Sequence, residues 1–191
     1  MNFVLFQRLA RRIGLLESPL GFLRKSMFRF LGGQVGEGTR IPRGTRYTWP
    51  HQVTLGSNCR LQEDIFFNYD HFWKPGPAII VGDRVFIGRG CEFNICKLLT
   101  IGDDTLIASG VKIIDHDHGK SSGSLISQQQ AVESPISIGR DVWIGVNAVL
   151  LKGVAIGDGA IIGAGSVVTR SVPAGEIWCG IPARKTGVRV E

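Results

Sequence analysis

Apolar residues recur every six positions along this chain, most plainly near its end. Ile138, Ile144, Leu150, Ile156, Ile162 and Val168 stand six apart, and glycine follows at 139, 145, 157 and 163. A period of six matches neither the 3.6 of an amphipathic helix nor the alternation of a hairpin, so it is an internal repeat. One such unit cannot bury its aliphatic side chain alone. Stacked units can, each inward residue resting on the next, with small residues permitting tight corners. The pattern predicts a parallel β-helix with short flat faces, three sixes to a triangular turn.

The same beat runs back through the chain with interruptions. It reads Val35, Ile41 and Tyr47, slips by two, and continues at Leu55, Leu61 and Phe67. An insertion follows, carrying Tyr69-Asp70-His71-Phe72-Trp73 and the breaker Pro75-Gly76-Pro77. The beat returns at Val81, Ile87 and Phe93, slips by two again, and resumes at Ile101, Ile107 and Ile113. About six coils are expected. Residues 115–137 break the repeat as an irregular, polar loop. Residues 1–33 read instead as helix: Phe3, Phe6, Leu9 and Ile13 fall near helical spacing, and Ser18-Pro19 opens a second helix that ends at Gly32-Gly33. The expected organisation is a basic helical cap (1–33), a β-helix (34–176) with its inserted loop (115–137), and a closing segment (177–191).

Charge sharpens the picture at one end. Residues 1–50 hold nine Lys and Arg against Glu17 and Glu37, a net of +7, while the remainder holds thirteen against fourteen. This basic end carries no nucleic-acid reading motif, so nucleic acid is not an expected partner. Phe3, Phe6, Phe22, Phe28 and Phe30 lie among the basic residues. They suggest a cap over the first coil, an anchor to anionic membrane through residues 1–31, or both. No run of about 18 apolar residues is present and no signal peptide is recognised, so the expected place is the cytoplasm, peripheral at the inner face of the membrane if the anchor operates. Four cysteines (59, 91, 96, 179) show no paired or zinc-ligand spacing, which implies reduced thiols and no metal.

Three segments beyond the repeat carry a resemblance: DTLIASGVKIIDHDHG (104–119), ESPISIGRDVWIG (133–145) and IGAGSVVTRSVPAGEIWCGIPARK (162–185). With the repeat, they make the chain similar to the hexapeptide-repeat acyltransferases, and within them to bacterial O-antigen and capsular O-acetyltransferases and to galactoside and maltose acetyltransferases. The resemblance covers roughly residues 80–185. It implies a left-handed parallel β-helix, where the general rule for parallel crossovers would favour the right hand. It also implies acetyl-CoA as co-substrate, a sugar hydroxyl as acceptor, and a homotrimer whose sites are lined by two neighbouring rods.

A loop as long as 115–137 inside a strict repeat is usually functional. It opens with Asp115-His116-Asp117-His118-Gly119. Transfer from a thioester to a hydroxyl needs a base of near-neutral pKa, for which histidine is suited. The resemblance places that base on His116, with His118 as the runner-up. Asp115, Asp117 and Glu133 are candidates to orient it. Asn94 matches an asparagine that faces substrate and thioester in the galactoside and maltose enzymes. For the donor, the resemblance implies backbone contacts at Gly163 and Ala164, Thr169 and Arg170 near the nucleotide, and Arg184, assisted by Lys185, near phosphate. Trp143 and Val146 would flank the thioester. With no serine or cysteine in a nucleophile motif, direct transfer is expected. The other readings are acetylation of a free sugar, amino sugar or serine, a zinc carbonic anhydrase on the same rod, and a non-catalytic rod.

Overall fold

The structure, a computed structural model, describes residues 19–190. The helix expected over 2–13 lies outside them. From Gln34 onward the chain winds as a left-handed parallel β-helix whose three walls are parallel sheets. The first wall stacks Gln34–Val35, Val53–Leu55, Ile79–Val81, Leu99–Ile101, Ile136–Ile138 and Ala155–Ile156. The second stacks Arg60–Leu61, Phe86–Ile87, Leu106–Ile107, Trp143–Ile144, Ile161–Ile162 and Glu176–Gly180. The third stacks Arg46–Tyr47, Phe66–Tyr69, Glu92–Ile95, Lys112–Ile114, Val149–Leu151 and Val167–Val168.

The six-residue beat is the interior. Ile107 pairs in register with Ile87 below and Ile144 above, and Ile113 with Phe93 and Leu150. All of these are fully buried. Each such side chain removed from water contributes roughly 1.5–3 kcal/mol. Phe67 and Phe93 stack inside the third wall with centroids 5.1 Å apart. Tyr47 and Leu61, in the first coils, pack against the core only partly buried. Close stacking of coils explains glycine at position 145: a Cβ there would lie 2.5 Å from the backbone nitrogen of Ala164.

The three edges of the prism differ. Turns from the first wall to the second (82–85, 102–105, 139–142, 157–160) share one length, as do those from the second to the third (88–91, 108–111, 145–148, 163–166). Every change of length falls on the third edge, where the chain passes from the third wall to the first through 70–78, 96–98, 115–135 and 152–154. The long loop is less irregular than its composition suggests. Its ends pair as an antiparallel ladder, His116 opposite Glu133 and Asp117 opposite Val132. The wall resumes at Ile136, so the excursion stops short of 137.

Helix α1 (Pro19–Phe30) closes the open end of the rod. A β-helix terminates in backbone groups with no next coil to pair them, and such groups need partners. Arg24 Nε donates to the Ile41 carbonyl at 3.0 Å, Lys25 Nζ to Gly36 and Thr39 at 3.2 and 2.9 Å, and Arg29 to Val35 at 2.6 Å. Phe28 is buried, its ring edge-on to Tyr47 at 5.3 Å. An anchor over residues 1–31 would turn its basic residues to anionic lipid; of these Arg8, Arg11 and Arg12 lie outside the described residues, and Arg24, Lys25 and Arg29 bond the first coil. These three cations turn onto the rod, and Leu20, Leu23, Met27, Phe30 and Leu31 are exposed. No helix among the described residues is long and apolar enough to cross a membrane. At the other end, Glu176–Gly180 and Ala183–Val188 form an antiparallel hairpin over the last coil.

Candidate active site

Asp115 leaves the third wall with its side chain turned inward and fully buried. Its carboxylate accepts three backbone N–H bonds, from Cys96 at 2.8 Å, Lys97 at 2.7 Å and Leu98 at 3.0 Å. It thereby ties the loop start to the turn of the coil beneath. The same carboxylate lies 3.2 Å from Nδ1 of His116. A carboxylate in this role only accepts, so Nδ1 carries the proton and Nε2 of a neutral ring keeps its lone pair. The His116 side chain is 10% exposed. Of the three proposed orienting carboxylates, Asp115 alone holds this ring.

Glu133 faces His116 across the ladder, yet its carboxylate is engaged elsewhere. Nε2 of His71 meets Oε1 of Glu133 at 2.6 Å. Asp117 is paired with Lys120 at 2.8 Å and Lys152 at 3.4 Å, and the Lys120 ammonium holds its pKa below the usual carboxylate value. His118 is exposed. Asn94 lies in register with Ile114 and Asn68, and its amide oxygen accepts from Asn68 at 2.6 Å.

Two residues escape a sequence reading. His71 sits in the 70–78 excursion and Cys96 in a short turn, both remote from His116 in sequence. Stacking of coils on one edge brings them together: Asp70, Cys96 and His116 offer ligand-type atoms within 4.8 Å of one another, and so do His71, Cys96 and Glu133. The extra length after Phe67 was the only signal. Such atoms are of the type that holds a metal; one ring nitrogen of each histidine is engaged, Nδ1 of His116 by Asp115 and Nε2 of His71 by Glu133. Burial first, then Asp115, pushes the Cys96 thiol up to about 12, away from the thiolate that a nucleophile needs.

The donor candidates fall on two edges. Trp143, Val146, Gly163 and Ala164 belong to the second wall and its turn to the third. Trp143 pairs in register with Ile161, and Gly165 N donates to the Val146 carbonyl. Trp143 and Val146 are half exposed. Thr169 and Arg170 follow Val168 on the third edge, two coils above His116, or about 10 Å by strand spacing. Arg184 lies exposed on the closing hairpin, and Lys185 is drawn to Glu176 at 2.6 Å. One chain therefore does not gather its own candidates into one site. A shallow cleft of about 440 Å³ along Ser137, Ala155 and Ser171, on the first wall, holds no titratable group.

Residues 135–170 match the family model described as bacterial transferase hexapeptide (six repeats). The chain is 34% identical over 138 residues to galactoside O-acetyltransferase of Escherichia coli K12, covering 69% of this chain and 62% of that protein. It is 38% identical over 115 residues to an E. coli K12 protein that carries the name of a lipopolysaccharide biosynthesis O-acetyl transferase, WbbJ, covering 56% and 59% respectively. It thus spans about three fifths of the length of these two relatives. Among solved structures, a hexapeptide-repeat-containing acetyltransferase from Vibrio cholerae, complexed with acetyl coenzyme A, superimposes with a TM-score of 0.61 at 26% identity, over 88% of this chain and 77% of that one. AntD, an N-acyltransferase from Bacillus cereus in complex with a dTDP-amino sugar and coenzyme A, shares the fold at TM-score 0.76 and 19% identity, over 87% and 89%. Repeat, coil geometry and relatives agree: the chain carries the bacterial transferase hexapeptide repeat over 135–170 and is similar in sequence and fold to the hexapeptide-repeat acyltransferases.

Proposed function

We propose that this protein is an acetyl-CoA-dependent O-acetyltransferase that modifies a sugar hydroxyl of a surface polysaccharide or its precursor, with His116 as general base. The observation that carries the reading is His116 itself. It stands at the exit from a coil, nearly buried, with Nδ1 on a fixed carboxylate and Nε2 left to accept a proton. The sugar oxygen attacks the thioester carbonyl as Nε2 takes its proton. A C–O bond forms, the C–S bond breaks as the tetrahedral intermediate collapses, and the imidazolium returns the proton to the departing coenzyme A sulfur. No covalent enzyme intermediate is needed, and the raised Cys96 thiol suits none. The relatives named for galactoside and lipopolysaccharide O-acetylation support a sugar acceptor. Acetylation of a free small sugar is the second reading, favoured by the galactoside relative alone.

The division of donor candidates between two edges supports a homotrimer, in which the His116 edge of one rod meets the Trp143 edge of the next. Outward residues of the second wall supply an apolar column for such contact: Phe86, Leu106, Trp143, Ile161 and Ile177 stack in register. Three heterologous contacts close a ring. Peripheral attachment to the inner face of the membrane is a further part of this reading. The exposed apolar face of α1 now supports it better than the inward cations do. Incubating the parent protein and His116→Ala with acetyl-CoA and a panel of glycosides tests the activity. Transfer by the parent and its loss in the variant are expected; transfer undiminished in the variant overturns the role of His116.

A further inference from the structure

The 70–78 excursion does more than lengthen one turn. With the turn at 48–52, it borders an open cleft of about 400 Å³ lined by Thr48, Trp49, Asn68, Tyr69, Asp70, His71 and Phe72. The walls are fixed. Thr48 Oγ1 donates to the Tyr69 carbonyl and accepts from its N–H, at 3.1 and 2.9 Å. Trp49 Nε1 donates to the His71 carbonyl at 3.0 Å, and the His71 ring is held by Glu133. The rim, by contrast, is costly: Phe72 is 92% exposed and the neighbouring Trp73 62%. Large aromatic surface left in water beside a polar cleft marks a place where something docks.

The polar groups say what. Asp70 is exposed, and its carboxylate lies within 4.8 Å of a ring nitrogen of His116. Asn68 spends its amide N–H on Asn94, which leaves its carbonyl oxygen to accept and the Asn94 amide to donate. Acceptors and donors set beside aromatic faces suit a ring with hydroxyls on its edge and C–H groups on its face. The volume lies near the small end of small-molecule pockets, about 300–1,000 Å³, and has room for one or two rings. Asp70 is the carboxylate that borders the cleft, and it disfavours an acidic group on the part of a sugar that meets it.

We infer that this cleft is the acceptor subsite and takes one uncharged or amino-bearing pyranose ring. Its apolar face rests on Phe72 and Trp73, its edge hydroxyls bond Asp70 and Asn68, and one hydroxyl is presented to His116. This inference rests on the transferase reading above. Steady-state transfer from acetyl-CoA to methyl hexosides, methyl N-acetylhexosaminides and methyl uronosides tests it. In Phe72→Ala and Trp73→Ala, the acceptor KM should rise about tenfold or more while the KM for acetyl-CoA stays at the parental value. Uronosides should be the poorest acceptors, and Asp70→Asn should narrow that gap. An unchanged acceptor KM in both aromatic variants, with transfer still dependent on His116, overturns the subsite and leaves the transferase reading standing. A change of oligomeric state in Phe72→Ala, seen by light scattering, reassigns the rim to a subunit contact and likewise overturns it. No transfer to any glycoside by the parent protein overturns the activity and the subsite together.

Discussion

His71 and Glu133 lie 62 positions apart in sequence and meet at 2.6 Å, joining the two excursions that leave the same edge of the rod. Both side chains are about three-quarters shielded from solvent. The contact fixes Glu133 directly opposite His116, so it acts on the loop that carries the candidate base.

A double-mutant cycle with His71→Ala and Glu133→Gln should therefore show a coupling of about 0.5–3 kcal/mol in denaturant unfolding. Each single change should also raise proteolytic cleavage within 118–131. Additive effects and unaltered cleavage would mean that the two excursions are independent.

Asp115 and His116 are neighbours with opposite expected phenotypes. Removing the imidazole in His116→Ala should lower transfer by at least about a hundredfold, within the range for general bases, and leave the unfolding midpoint near that of the parent. Asp115→Ala leaves three N–H groups without their acceptor, that of Cys96 buried and so costing about 1–3 kcal/mol, and should destabilise the fold markedly. A dead His118→Ala beside a nearly normal His116→Ala would shift the base by two positions.

The second wall offers a test of assembly. Leu106 is half exposed at the centre of the apolar column, so Leu106→Glu should fold but drive the protein toward monomer in light scattering, with transfer falling in parallel. A parent protein that is already monomeric at micromolar concentration would remove both the trimer and the shared site.

The cap yields two separable outcomes. Arg29→Ala and Lys25→Ala leave coil carbonyls without donors and should loosen the N-terminal end, seen as faster amide exchange at Val35 and Leu55. Met27→Asp together with Phe30→Asp should lower pelleting with anionic vesicles and leave that exchange alone. Equal pelleting of the parent and this pair would leave α1 as a cap only.

Burial raises the thiols of Cys91 to about 11 and Cys96 to about 12, from an ordinary 9.0. The unfolded chain releases these protons first, so their contribution to stability is complete below about pH 9 and declines as pH rises toward the folded values. Urea midpoints should fall between pH 8.5 and 10.5, less steeply in the Cys91→Ala/Cys96→Ala double variant. Identical slopes would assign the decline to other groups.

Much of this architecture is legible in the sequence because the inward residue of each coil face recurs at a fixed interval. Ile87, Ile107 and Ile144 declare themselves by spacing alone, and every one of them is buried. The base candidate is legible for the same reason in reverse, since Asp115-His116 stands where the interval fails. What sequence does not display is adjacency across coils on the uneven edge. Asp70 and Cys96 approach His116, and His71 approaches Glu133, only after the coils stack, and the length of the 70–78 excursion hides which of its side chains return to the edge. The sense of α1 is hidden for another reason. Its pattern of arginine and phenylalanine is read as though water faced the charges, whereas here the end of a β-helix offers carbonyls that draw the cations inward.

The uneven edge has a consequence for how such a protein can change. On the other two edges an added residue would throw every later inward side chain out of phase, and the column would lose its contacts. On the third, the chain can wander and re-enter at Ile79 or Ile136 with the count restored. That margin is open to rewriting while the spine stays fixed. Its two long passages are clasped by His71 and Glu133, however, so they form one interchangeable cassette rather than two. Exchanging 70–78 and 115–135 together between related rods should carry the acceptor preference across, and exchanging either alone should break the clasp.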